Sequence, residues 1–285
     1  MECEVSILIP TFNRGHLIER AIKSSINQSY KCEIIVCDHG STDNTRKICE
    51  KYLNQITYIN RVKDYGIHFC ELEALLAAQT KYIHFCFDDD WMHNKFIEEC
   101  IKLMNKDVGL VYSNNIVVDI NSRNKIKDDW SFVNKIDSRK LLSIKKVPHV
   151  LKGLISPSCA LIRKEDAIKC LYNTTNLISD KFYNGVGPDW LMTAMPLFRY
   201  KYCGYIKTQL VKFGSHEQSI TIDALSSDNL NKRRKYHEAY NAAKIYLIIS
   251  TLARIIKFEK IYNIFASFLG PLLNLLKSLI YKKIT

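Results

Sequence analysis

The sequence has no Cys-x-x-Cys pair and no histidine at zinc-finger spacing from a cysteine, which sets the structural-zinc classes aside. It has no internal repeat and no low-complexity segment, which sets aside solenoids and propellers. Basic residues are missing ahead of the first apolar run. MECEVSILIPTFNR carries glutamates where a secretion signal needs lysine or arginine and then a longer apolar stretch, so a cytosolic chain is expected. No nucleic-acid-binding pattern accompanies the basic run Lys232–Lys235, which reads as a solvated face.

What is present is ordinary in bulk. The 285 residues are 47% hydrophobic and 25% charged, ample for a buried core. Ten cysteines are scattered from Cys3 to Cys203, and several lie inside apolar runs (Cys37, Cys86). Free buried thiols in a reducing compartment fit that scatter better than disulfides. The net charge of +12 is uneven: residues 226–285 hold 11 Lys/Arg against 3 Asp/Glu. An anionic surface is the expected partner of that tail.

Apolar runs alternate with amphipathic ones. VSILI (5–9), EIIVC (33–37), TYI (57–59), KYIHFCF (81–87) and VGLVYSN (108–114) read as strands. Residues 14–28, 43–53, 69–79 and 94–105 read as helices, the first with Asn13 as its N-cap. This alternation is the signature of an α/β domain with a mostly parallel sheet. Residues 116–150 read as a polar, irregular loop. SCALI (158–162) reads as a strand and KEDAIKCL (164–171) as a helix. GVGPDWLMTAMPLF (185–198) turns into a helix with Pro188 in its first turn, and CGYI and QLVKF read as two short strands.

Polar clusters follow the strands. TFNR follows the first, DHGSTDNT the second and DDD the fourth, so all three meet in one crevice at the carboxyl ends of the sheet. Asp38 is placed to accept a hydrogen bond from a base N–H. Thr11, Asn13 and Arg14 are candidate nucleotide contacts. Asp88, Asp89 and Asp90 repel one another, and a hard divalent cation with oxygen ligands relieves that. In an extended stretch Asp88 and Asp90 would share a face. The metal then sits on Asp90, with Asp88 on metal or ribose, and Asp89 is grouped with the nucleotide contacts.

These three motifs resemble, in order and spacing over residues 4–115, the nucleotide-binding motifs of family 2 glycosyltransferases with the GT-A fold, of the kind that build bacterial surface polysaccharides. The resemblance implies an inverting transferase that uses a nucleotide-sugar, a UDP-sugar foremost, with Mg²⁺ or Mn²⁺. It gives Asp38 the uracil contact and maps the DxD motif onto Asp88 and Asp90. Cys70, Glu71 and Leu72 stand where family members often show Ala-Arg-Asn. GPDW resembles the Glu-Asp motif, which gives Asp189 the role of catalytic base with Pro188 in place of the Glu. HEQSIT resembles the late His motif and makes His216 a metal or diphosphate contact. Trp91 and Trp190 each follow a functional aspartate and are candidates to stack on donor or acceptor sugar.

The expected organisation is a GT-A domain over 1–225, its nucleotide-sugar half 1–115 and its acceptor half 116–225. A basic, amphipathic helical tail follows over 226–285. In 261–281 polar or small residues recur at steps of four and three, leaving one narrow polar stripe on an apolar helix. That tail has three readings: packed on the domain, spanning a bilayer, or lying on an anionic membrane beside a glycan or lipid-linked acceptor. The last is preferred, and it places the chain at the inner face of the cytoplasmic membrane. A non-catalytic, membrane-associated nucleotide-sugar binder is the competing class.

Overall fold

Two runs almost free of polar side chains lead the fold. VSILIPT forms β1 (Val5–Thr11), buried at every residue, and EIIVCD forms β2 (Glu33–Asp38). They pair in parallel from Ser6 opposite Glu33 to Thr11 opposite Asp38. β3 (Thr57–Asn60) joins β2, and β4 (Tyr82–Phe85) joins β1, again in parallel. The carboxyl ends of four parallel strands therefore share one edge, and Thr11 and Asp38 lie side by side on it. The crossovers are helical: α1 (Ile18–Ile26), α2 (Thr45–Glu50) and α3 (Ile67–Ala77). α1 turns Ile18, Ala21, Ile22 and Ser25 inward, the three-and-four spacing of a face against a sheet.

The computed structural model describes residues 3–129, 139–142, 156–178, 186–217, 219 and 230–255. After β4 come β5 (Trp91–Met92), α4 (Phe96–Leu103), β6 (Val108–Asp119), β7 (Lys125–Asp129) and β8 (Arg139–Leu142). A 3₁₀ turn, Pro157–Cys159, leads into β9 (Ala160–Arg163) and α5 (Lys164–Ile178). The described chain closes with α6 (Pro188–Ala194), α7 (Pro196–Arg199), β10 (Tyr202–Ser215) and α8 (Leu230–Ile255). The sheet runs β3-β2-β1-β4-β9-β6-β10-β5, with β7 on β6 and β8 on β10. This is the expected GT-A architecture: a mostly parallel half that ends strands at a crevice, and a mixed half beside it.

Several local expectations change. Asn13 does not cap α1. It takes a left-handed conformation (φ 54°), and the helix begins at Ile18 after a turn in which Leu17 N–H and Ile18 N–H both donate to Arg14 O. The polar stretch after residue 114 is partly ordered as strand: β6 runs on to Asp119 and turns back into β7. CGYI and QLVKF belong to one strand, β10. Lys207, Thr208 and Gln209 are exposed in succession at register shifts against β6, which breaks the alternation that marks a strand in sequence.

The expected tail over 226–285 includes residues that pack on the domain. α8 buries Tyr236, Ala239, Ala243, Tyr246 and Leu247 in the same core as the sheet, and it packs against α6. Its first turns keep Arg233, Arg234 and Lys235 exposed, as a solvated basic face. The packed core thus includes α8 as far as Leu247. Segment 261–281 lies outside the described residues. Among the described residues no helix is long and apolar enough to cross a membrane. All ten cysteines are free, and eight are buried.

Candidate active site

The loop after β1 is tied to the loop after β2. Asn13 Oδ1 accepts from Thr42 N–H at 2.8 Å, and Asn13 N–H donates to Ser41 Oγ at 2.8 Å. Arg14 N–H reaches Thr45 Oγ1 and Gly15 N–H reaches Asp43 Oδ2, at 3.1 and 3.0 Å. TFNR and GSTDNT thus form one rigid rim. The side-chain oxygen of Asn13 that sequence assigned to a nucleotide already serves that rim.

Asp38 lies behind the rim and is 0% exposed. Its Oδ1 accepts from Ser41 N–H at 2.9 Å, and its Oδ2 accepts from the Tyr58 hydroxyl at 2.8 Å. Both oxygens of Asp38 thus anchor the loop. The surfaces on show beside it are Phe12, exposed and stacked on His39 with centroids 5.0 Å apart, and Tyr65, also exposed. His39 Nδ1 lies 2.6 Å from Asp64 Oδ1, and the Asp64 carboxylate also accepts from Gly66 N–H, which holds it below the usual carboxylate range against the opposing effect of burial. Phe12, Tyr58 and Asp64 were invisible as site residues in sequence, since nothing local marks a partner twenty or more residues away.

The three aspartates form a turn, closed by Asp90 N–H on Phe87 O at 2.9 Å. Alternation along an extended strand therefore does not apply, and the three carboxylates meet three different partners. Asp88 Oδ2 accepts from Thr11 Oγ1 at 2.8 Å. Asp89 Oδ2 faces His216 Nε2 at 3.2 Å, across 127 positions of sequence. Asp90, only 7% exposed, accepts from Gly214 N–H at 3.1 Å. Burial first, and the Asp89 charge second, push Asp88 up to about 7 and Asp90 well above the ordinary carboxylate value.

Positive charge does sit among them. Arg20, on α1, donates from Nη2 to Asp89 O at 3.0 Å, and its field reaches Asp90 and Asp89. The guanidinium lies 3.7 Å above the Trp91 ring, and Lys212 Nζ is 5.9 Å from the same ring. Arg20 went unnoticed in sequence because it looks like one more surface cation of an amphipathic helix. Trp91 accordingly has a face already stacked by Arg20. Gly214 lets β10 come this close: a Cβ there would stand 2.1 Å from Asp89 O.

Among the described residues no three carboxylate, thiol or imidazole groups converge as a metal cage. Mg²⁺ and Mn²⁺ sites at phosphates need less, one or two protein carboxylates with phosphate oxygens completing the shell. Asp88 and Asp90 are hard oxygen donors, and burial raises the proton affinity of both. That donor chemistry fits a divalent cation.

Asp189 opens α6 behind Pro188, which occupies the first helical turn where no amide is required. Its Oδ1 accepts from Gly187 N–H and Trp190 N–H, both at 2.7 Å. Burial, and next the charge of Glu71, raise it to about 6 although those amides oppose the rise. α6 packs on the 3₁₀ turn Pro157–Cys159, and Ser158 of that turn bonds Asp90 and receives Phe87 N–H at 3.4 Å. One turn thus links the helix of Asp189 to the aspartate turn. Trp190 is different: at 1% exposure it is a core side chain, with little surface to offer a sugar.

Residues 6–171, more than half of the chain, match glycosyl transferase family 2. A curated Escherichia coli relative, UDP-Glc:alpha-D-GlcNAc-diphosphoundecaprenol beta-1,3-glucosyltransferase WfgD, is 31% identical over 141 residues, 48% of this chain and 54% of that protein. The chain thus spans about half the length of that relative. Among solved structures, S. aureus TarS 1-349 in complex with UDP-GlcNAc matches with a TM-score of 0.58 at 16% identity, over 90% of this chain and 73% of that one. A Pyrobaculum calidifontis mannosyltransferase in complex with GDP-Man and Mn²⁺ matches with a TM-score of 0.51, also at 16% identity, over 94% and 84% of the two chains. At such identities the structural matches speak for the fold.

Proposed function

The chain belongs to glycosyl transferase family 2, and from that premise we propose that it is a metal-dependent, inverting transferase, moving a sugar from a nucleotide-sugar to a hydroxyl of a glycan or lipid-linked acceptor in surface polysaccharide assembly. The observations that support this reading are the Thr11-braced aspartate turn at the carboxyl end of the sheet, and the packing of the helix that carries Asp189 on the turn whose Ser158 bonds Asp90. One suits the leaving group, the other the incoming nucleophile.

Each residue has a role in that scheme. Phe12 and His39 form the wall for a nucleobase, with Asp38 and Tyr58 fixing the loop behind them. A UDP-sugar is the favoured donor, in keeping with the names of the E. coli relative and the TarS complex. Asp88 and Asp90, with His216 on Asp89, would hold Mg²⁺ or Mn²⁺. When bound, that cation supplies charge neutralisation for the departing diphosphate. Arg20 fixes the turn through Asp89 O and Trp91. Asp189 keeps Oδ1 on two amides and takes the acceptor's hydroxyl proton on Oδ2 as attack proceeds. A proton affinity near 6 leaves it ionised at neutral pH yet a stronger base than an ordinary aspartate.

Release of UDP from UDP-glucose and UDP-GlcNAc in Mn²⁺ tests the transferase reading. Turnover that requires both Mn²⁺ and Asp189 supports it. Donor binding with no turnover under any donor would favour the competing class, a nucleotide-sugar binder. We place the chain at an anionic membrane surface through residues 256–285, which follow the packed helix α8. Liposome flotation of a chain ending at Ile255 checks this, and undiminished binding would overturn it.

A further inference from the structure

The two sides of α8 meet different surroundings. Tyr236, Ala239, Ala243, Tyr246 and Leu247 enter the core. On the outer side Ile245, Ile248 and Leu252 stand 44%, 54% and 51% exposed, at steps of three and four. Such steps set the three side chains in one row along a helix. Single exposed apolar residues are ordinary, whereas a contiguous row marks a surface that meets something. Earlier on the same face Arg234, His237 and Asn241 are exposed, again at steps of three and four. The outer face of α8 thus changes from polar and basic to apolar toward its C-terminal end.

The row belongs to the packed domain. α8 packs on α6, the helix that carries Asp189, and just past Leu252 the Arg254 guanidinium donates to Phe198 O. Charge and the continuing sequence point to what covers it. α8 carries Lys232, Arg233, Arg234, Lys235, Lys244 and Arg254 against Glu238 as its one carboxylate. The chain then continues over 261–283 as IYNIFASFLGPLLNLLKSLIYKK, apolar with lysines at its end. An apolar row on so basic a helix repels a second copy of itself. It matches acyl chains beneath anionic headgroups.

We propose that the row Ile245, Ile248 and Leu252 is a docking surface for an anionic lipid bilayer, through which α8 sets how the catalytic domain sits on the membrane. The inference rests on the reading that residues 256–285 bring the chain to such a surface. It adds that the packed domain itself touches lipid. Because α6 packs on α8, the helix of Asp189 is then held at a fixed height above the bilayer, which suits a lipid-linked acceptor.

The test uses the full chain with vesicles of phosphatidylglycerol and phosphatidylcholine in equal parts, the phosphatidylcholine brominated in its acyl chains. Ile248→Trp puts a reporter in the row, and Asn231→Trp puts one in the first turn of α8, about 25 Å away along the helix. Bromine should quench Ile248→Trp beyond the parent with its three tryptophans, and leave Asn231→Trp at the parent level. Quenching of Ile248→Trp no greater than the parent, on vesicles that still float the chain, overturns the proposal and leaves the membrane reading standing. Loss of flotation altogether removes that reading and the proposal with it. An Ile248→Trp emission already blue-shifted without vesicles, and unchanged by them, shows the row covered by residues 256–285 or by a second copy, and also overturns it. A second readout removes the row. Ile245→Ser, Ile248→Ser and Leu252→Ser together should weaken vesicle binding about tenfold or more, with an unchanged circular dichroism spectrum. Undiminished binding by that variant overturns the docking surface.

Discussion

Two groups of carboxylates in this molecule are treated in opposite ways. In the aspartate turn each side chain has a partner from another part of the chain: Thr11 for Asp88, His216 for Asp89 and Gly214 for Asp90. Arg20 lies against the turn from outside. In the second group Asp189 is held by its own helix N-terminus, and Glu71 has an oxygen without a donor. The first arrangement fixes three charges in space and suits a ligand that brings cation and diphosphate together. The second buries one carboxylate, which raises its proton affinity, and suits proton transfer.

If the turn is a fixed cradle, Asp90→Ala should break it most. Donor affinity in Mn²⁺ should fall about a hundredfold or more by calorimetry, since a direct ligand ought to exceed the loss typical of its supports. An unchanged affinity rejects Asp90 as ligand. Next is Gly214→Ala, whose Cβ would press on Asp89 O and displace the turn. UDP release should fall about a hundredfold, the usual cost of an ångström-scale misplacement, while far-ultraviolet circular dichroism is unchanged. Arg20→Met keeps the helix but loses the Trp91 stack and the bond to Asp89 O. Urea melts should show a loss of about 1–2 kcal/mol. His216→Ala should be mildest. The partly exposed His216–Asp89 contact is worth up to about 1 kcal/mol, so half-saturating Mn²⁺ should rise by about fivefold at most.

The second group is sharpened by pH. Asp189 has a folded-state proton affinity near 6, above its ordinary value of 3.8. It therefore favours the folded state fully below about pH 4, and that contribution disappears as pH rises through 6. The Tm advantage of Asp189→Asn should be present at pH 7.5 and vanish toward pH 4. An advantage constant across that range would show that burial of its charge is not the cause.

The parallel half was legible in sequence because β1, β2 and β4 are buried on both faces and announce themselves as continuous apolar runs. The crevice followed from where those runs stop. β10 was not legible as one strand, since three exposed residues interrupt it, and Gly214 shows its purpose only once Asp89 lies beside it. Asp88, Asp90 and Asp189 could be named from motif and position, but their surroundings could not. Arg20 and Ser158 reach the aspartate turn from elements about 70 residues away, and no local pattern encodes such contacts. Trp190 misled for a related reason: neighbours in a helix point in directions about 100° apart, and Trp190 fills the core.

Mn²⁺-dependent release of UDP by Asp189→Asn, read beside UDP-sugar affinity by calorimetry, tests the central claim most directly. Turnover should fall about a hundredfold to ten-thousandfold with donor affinity within about twofold of the parent. Near-parental turnover would contradict the assignment of Asp189 as the base and with it the division of labour between the two carboxylate groups.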